Sequence, residues 1–207
     1  MQKQNAKQVT APWTREMVMV VKRETLFGVR AWQGIRQVDA GAWLATIRNH
    51  AEYHPRGLME TDLTYKQIIP YLIYRHQNRY FLMTRHAKAS EKRLASKLSL
   101  GIGGHIRQAD VGEGGIFSWA RREFHEEVTY NGTLEIEVLG ILNDDSNEVG
   151  KVHLGMVLLL AGDSCDISVK SELAGGYLAT LQECLDQQDR LEPWSQIVLD
   201  ELQRRTD

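Results

Sequence analysis

Residues 152–160, inside KVHLGMVLLLAG, constrain this chain most, because nearly every position is apolar. Successive side chains of a strand point to opposite faces of its sheet, so a strand apolar throughout must be covered on both. The segment therefore reads as a central strand, and residues 134–142 before it as another. Its longest unbroken apolar run, residues 156–161, is far too short to cross a bilayer, which takes about 20 residues.

The rest of the chain supplies cover for such a sheet. Residues 68–74 and 80–84 are apolar runs divided by His76, Gln77 and Asn78, a hairpin pattern. Pro70 suggests an edge strand or a bulge, since proline cannot donate to a ladder. Residues 98–102 form a short strand running into Gly103 and Gly104. Over residues 116–128, Phe117, Ala120, Phe124 and Val128 recur at helical spacing, and Asn131-Gly132 supplies a stop. Residues 178–185 and 194–202 read as closing helices, the second begun by Pro193.

Near the N-terminus, a disordered lead of about a dozen residues precedes a strand at 17–21 and a short amphipathic helix at 40–48. Pro55, Gly57 and several charges make 51–62 a connector. The expected architecture is an α/β (α+β) sandwich, a mixed sheet flanked by helices. Residues 1–62 form an N-terminal extension and residues 63–207 the main domain.

Composition excludes several classes. Among 207 residues, 43% are hydrophobic and 25% charged, with a net charge of −2, so no basic surface advertises nucleic-acid binding. Cys165 and Cys184 stand in no CxxC pair and at no metal spacing with histidine. The first residues lack a signal-peptide core, so the cytoplasm is the expected location, with no membrane partner.

The chemistry concentrates in Arg122-Glu123-Phe124-His125-Glu126-Glu127. Positions three and four apart share a helix face, so Glu123 lies beside both Glu126 and Glu127. Such carboxylates repel, by a few tenths of a kcal/mol per pair, unless something neutralises them. An acidic solvated face laced with arginine is the bland explanation. Gly103-Gly104 at a strand end argues against it, because a glycine there lets the backbone approach a ligand and offers a carbonyl to a metal. A hard divalent cation such as magnesium suits that donor set.

Other residues have ordinary alternatives. His153 fits a half-core histidine better than a ligand. His50 and His54 flank Glu52 at metal spacing but lack a third ligand. Tyr74, Tyr80 and Trp119 could stack a base, with core packing the simpler role. Asp144-Asp145 has the chemistry of a polar turn.

Gly104, Glu113 and the run from Arg122 to Glu127 resemble the Nudix box. KQIIPY, LSLGIGGHI and GILNDDSNEVGKVHLG further resemble a bacterial subgroup of MutT-like phosphoesterases. The match departs from the pattern in three places. Arg122 follows Gly104 by eighteen positions instead of fourteen, Glu113 precedes Arg122 by nine instead of eight, and Thr129-Tyr130 replaces glycine-aliphatic.

The resemblance implies a Nudix-like mixed sheet with an added N-terminal strand and helix. It implies cleavage of a diphosphate bond in a nucleotide-like small molecule. Gly104, Glu123, Glu126 and Glu127 would hold Mg²⁺, with Mn²⁺ as a substitute, which would neutralise phosphate charge and generate the nucleophile. Arg122 would orient a carboxylate. The general base would be Glu126, Glu127 or a loop glutamate such as Glu148 or Glu172. Arg85, Lys88 and Arg93, from a basic loop, would meet the phosphates. Two rivals are a non-catalytic ligand sensor and an isopentenyl-diphosphate-isomerase-like enzyme. The intact glutamates count against the first. The second needs a catalytic cysteine near the sheet, and both cysteines lie beyond the box. A homodimer, with the N-terminal segment as an arm, is the expected assembly.

Overall fold

The computed structural model describes residues 12–85, 97–110, 114–170 and 173–206. The sheet is organised around β10 (His153–Gly162), whose first eight residues are all buried. β10 runs parallel to β4 (Tyr65–His76) and antiparallel to β9 (Leu134–Asn143). Outward from these lie β5 (Arg79–Arg85) and β12 (Leu173–Thr180) on one side, and β2 (Gly34–Arg36) on the other. Among the described residues the main sheet has ten strands and is mixed, as expected.

Alternation along β10 divides the interior in two. Leu154, Met156, Leu158 and Leu160 join a core with Trp119, Ala120 and Phe124 of helix α4 (Gly115–Glu127). Val157 and Leu159 face the opposite way, toward Val198, Leu199 and Leu202 of helix α7 (Pro193–Arg204). Helix, sheet and helix thus form the layers of the sandwich. Helix α7 starts as its sequence suggests, with Pro193 in the first turn and the Glu192 side chain accepting from the Trp194 and Ser195 amides. That carboxylate also accepts from the Tyr71 hydroxyl, so the cap is tied to the middle of β4.

Four sequence expectations need correction. Pro70 does not mark an edge, because β4 is internal to the sheet. On one side β4 pairs with β1 (Met17–Lys22) through Tyr65–Gln67 and with β7 (Gly101–Gly103) through Tyr71–Ile73. The proline falls in the gap between those partners, where a missing donor costs little. The connector at 51–62 contains strand β3 (Glu52–Pro55), paired with β1, and helix α3 (Arg56–Met59). Both are too short to show a period in sequence.

Helix α4 stops at Glu127, before Asn131-Gly132, and β8 (Val128–Tyr130) follows directly, pairing with β11 (Ile167–Val169). Gly132 has a different reason to be glycine. A Cβ there would lie 2.1 Å from Asp163 Oδ1 and 2.3 Å from the Tyr130 hydroxyl. The helix expected at 178–185 is confined to α6 (Leu181–Leu185), because residues 173–180 form strand β12. Thr180 and Glu183 make a reciprocal capping box that sets the boundary.

The pair Asp144-Asp145 is more than a polar turn. Asp145 accepts from Arg23 and, at 2.8 Å, from the buried Lys66 Nζ, which also donates to the carbonyls of Gly150 (2.6 Å) and His153 (3.2 Å). Burial lowers the Lys66 pKa to about 8, against the opposing pull of Asp145. This ionic knot fixes the start of β10. Among the described residues no helix is long and apolar enough to cross a membrane.

Candidate functional site

The carboxylate face is built by α4 lying on the sheet. Phe124 is fully buried, its ring stacked on Tyr74 at 5.6 Å between centroids, and this orients the helix. Glu123 and Glu127 are then half-buried and Glu126 exposed. Helix α4 is brought against the strand end: a Cβ on Gly104 would sit 2.5 Å from Glu123 Oε1 and 3.3 Å from Trp119 Cη2. Only a residue without a side chain allows this carboxylate to approach the backbone so closely.

Electrostatics mark the same spot. Burial, reinforced by the charges of Glu126 and Glu127, pushes the Glu123 carboxyl up to about 7, against the opposing pull of Arg122 and Arg107. Negative charge is concentrated here beyond what the nearby arginines offset. The donors are all hard oxygens, a set that fits a divalent cation of the magnesium type.

Arg122 does not reach Glu123. It donates to Glu126 and, at 3.0 Å, pairs with Asp110. Asp110 in turn takes a two-pronged contact from Arg107, at 2.9 and 3.1 Å. Although Asp110 is partly buried, Arg107 and Arg122 hold its carboxyl below the usual range. Asp110 and Arg107 escape sequence reasoning, since neither belongs to a motif. They link the helix to the segment after β7 and fix Arg122 in place.

The other candidates scatter. Glu148 is exposed and pairs with Lys151 at 2.6 Å. Arg85 ends β5, with only its backbone described, while Lys88, Arg93, Glu113 and Glu172 lie outside the described residues. Tyr74, Tyr80 and Trp119 are core residues, at 2%, 6% and 2% exposure, and offer no face to a base. The His50–His54 spacing is not a helical one, because His50 ends helix α2 (Ala40–His50) and His54 belongs to β3, paired at 2.8 Å with Glu52. Cys165 is exposed and Cys184 buried; both are free thiols.

A mixed sheet between helices, with three glutamates of one helix beside a diglycine strand end, is an arrangement that known proteins share. The chain is 30% identical to Tm1382, a candidate Nudix hydrolase, and covers 100% of that crystal structure with 92% of its own length, at a TM-score of 0.79. It therefore belongs to the Nudix hydrolase superfamily. Protein YmaB of Bacillus subtilis (strain 168) is 35% identical over 207 residues, 91% of this chain and 98% of that one. The NUDIX domain of Shewanella oneidensis NrtR, crystallised with ADP ribose, shares the fold at a TM-score of 0.56 and 11% identity, covering 82% of this chain and 100% of that one. No family model matches the chain.

Proposed function

We propose that this protein is a magnesium-dependent hydrolase of a diphosphate bond in a nucleoside diphosphate derivative. The observation that carries the reading is the packing of Gly104 against Glu123, one turn from Glu126 and Glu127. Glu123, Glu126, Glu127 and the Gly104 carbonyl are the proposed cation ligands. A magnesium ion held there would neutralise phosphate charge and activate the attacking water. Arg122 positions Glu126 through its hydrogen bond, and Asp110 holds Arg122 from the other side. Glu127, half-buried on the same turn of the helix, is the proposed general base for that water. The ADP ribose bound by the NrtR domain supports the ligand class.

The test is phosphate or nucleotide release from ADP ribose, nucleotide sugars, dinucleoside polyphosphates, nucleoside triphosphates and coenzymes, with and without Mg²⁺. At least one compound should turn over only with the cation, and Glu127→Gln should still bind it while turning it over at least roughly 100-fold more slowly. Ligand binding without turnover in the unaltered protein would favour a sensor instead.

Gly104→Ala probes the strand end. Its methyl group would force the Glu123 carboxylate aside, so the Mg²⁺ concentration for half-maximal turnover should rise by roughly tenfold. The closest clash is with a side-chain end, but the buried Trp119 ring at 3.3 Å must also give by a few tenths of an ångström, so a modest loss of thermal stability is expected beside the change in Mg²⁺ dependence. An unchanged Mg²⁺ dependence would remove Gly104 from the proposed cation site.

A further inference from the structure

A second group of donor atoms lies outside the carboxylate patch. Glu60, at the end of α3, His105, directly after Gly104, and His153, the first residue of β10, converge from distant parts of the chain. One ligand atom from each lies within 4.8 Å of the other two. The two imidazole Nε2 atoms are 3.2 Å apart. Two nitrogens on one tetrahedral zinc, each bonded at about 2.0–2.1 Å, are separated by about 3.3 Å.

The surroundings orient these donors. His153 is 6% exposed, and its Nδ1 lies 2.7 Å from the Val149 carbonyl oxygen. A carbonyl only accepts, so Nδ1 carries the proton, and Nε2, 3.2 Å from His105 Nε2, is the ring atom left to bind a cation. Arg56 Nε donates to Glu60 Oε1 at 3.0 Å, fixing that carboxylate as outer partners of metal ligands do. Glu60 and His105 are half-buried, which leaves an ion a way in.

A plain hydrogen bond between the histidines would account for their 3.2 Å contact. It does not account for a carboxylate oxygen that also stands within 4.8 Å of both ring nitrogens. Nitrogen-rich donors suit zinc better than magnesium.

We propose that Glu60, His105 and His153 form a zinc site separate from the carboxylate patch of α4. It joins the α3 segment to the start of β10 and to the residue after Gly104, so the ion would act as a clip on the diglycine strand end. The proposal does not depend on which substrate is cleaved, or on whether the protein is a hydrolase.

The experiment uses the full, untagged chain, stripped with chelator and dialysed. It is titrated with Zn²⁺ by calorimetry and with Co²⁺ by visible absorption, followed by melting curves. The expected result is one tight equivalent of Zn²⁺, distinct from any weaker uptake by the carboxylate patch, with a tetrahedral-type Co²⁺ spectrum and a higher Tm with Zn²⁺. His105→Gln and Glu60→Gln should each weaken binding by roughly 10–100-fold and abolish the Co²⁺ spectrum, while Glu126→Gln leaves both intact. His153→Ala should do the same, and if it does not fold, the two half-buried variants carry the test alone. Absence of stoichiometric Zn²⁺ binding would overturn the proposal and leave only a histidine pair. So would binding that survives His105→Gln, or that disappears in Glu126→Gln.

Discussion

Glu123→Gln should lower Mg²⁺-dependent turnover by roughly 100-fold or more, and in metal-free protein the same substitution should raise stability at pH 8. The first effect is loss of a proposed cation ligand, where each tenfold in rate corresponds to about 1.4 kcal/mol of transition-state stabilisation. The second follows from the site's electrostatics. In the folded protein the Glu123 carboxyl titrates near 7, above its ordinary value of 4.5. A carboxyl whose pKa is raised on folding contributes stability that is fully present below the unfolded value and is lost as pH rises through the folded one. Metal-free protein should therefore lose on the order of 2–3 kcal/mol between about pH 4.5 and 7 from this residue, allowing for its partial exposure.

Glutamine keeps the shape without the charge, so the variant should show a flatter profile over that window. Saturating Mg²⁺ should reverse the ranking at pH 8, because an ion that binds only the folded state adds stability through its occupancy. Urea melts at several pH values, with and without Mg²⁺, check both halves. A variant less stable than the parent at pH 8 without metal would contradict the idea of a charge held at structural expense for a cation.

The second large effect is expected at Phe124, which is not itself a proposed ligand. Phe124→Ala should cost about 3–5 kcal/mol, because the ring is fully buried between helix and sheet and its removal leaves a cavity. The ring stacks on Tyr74 and meets Tyr130 edge-on, with centroids 5.9 Å apart. Those contacts hold α4 at the angle that presents Glu123 to Gly104. Activity should fall with stability, since the helix can re-seat only by shifting its carboxylates. Phe124→Leu should cost less than about 2 kcal/mol and retain most turnover. Equal small losses in both variants would mean that the helix is anchored elsewhere.

Much of the architecture was legible where periodicity was strong. The largely apolar β10, the hairpin about Gln77 and the amphipathic α4 each follow from side-chain pattern and end near the expected residues. Expectation failed where elements were too short to carry a pattern, as in β3 and α3, or where a strand ran straight into a helix, as at Thr180. The capping box there was readable as Thr180-Leu181-Gln182-Glu183, but the apolar positions after Leu178 masked it. In the candidate site, helical spacing alone puts the three glutamates on one face. Asp110 and Arg107 were invisible because their role depends on a fold that carries a loop beneath Arg122. The Glu60–His105–His153 group was hidden for the same reason, its successive members being 45 and 48 residues apart along the chain.

The parallel pairing of β4 with β10 also bears on how the chain is made. Gln67 meets His153, and the register continues to His76 opposite Gly162. During synthesis, β4 must wait for roughly ninety further residues before its central neighbour exists, and until then its apolar side chains lack that cover. Distant pairing of this kind slows folding and leaves sticky intermediates open to aggregation. A nascent polypeptide held on a stalled ribosome anywhere before Gly162 would thus present a strand suited to capture by a chaperone.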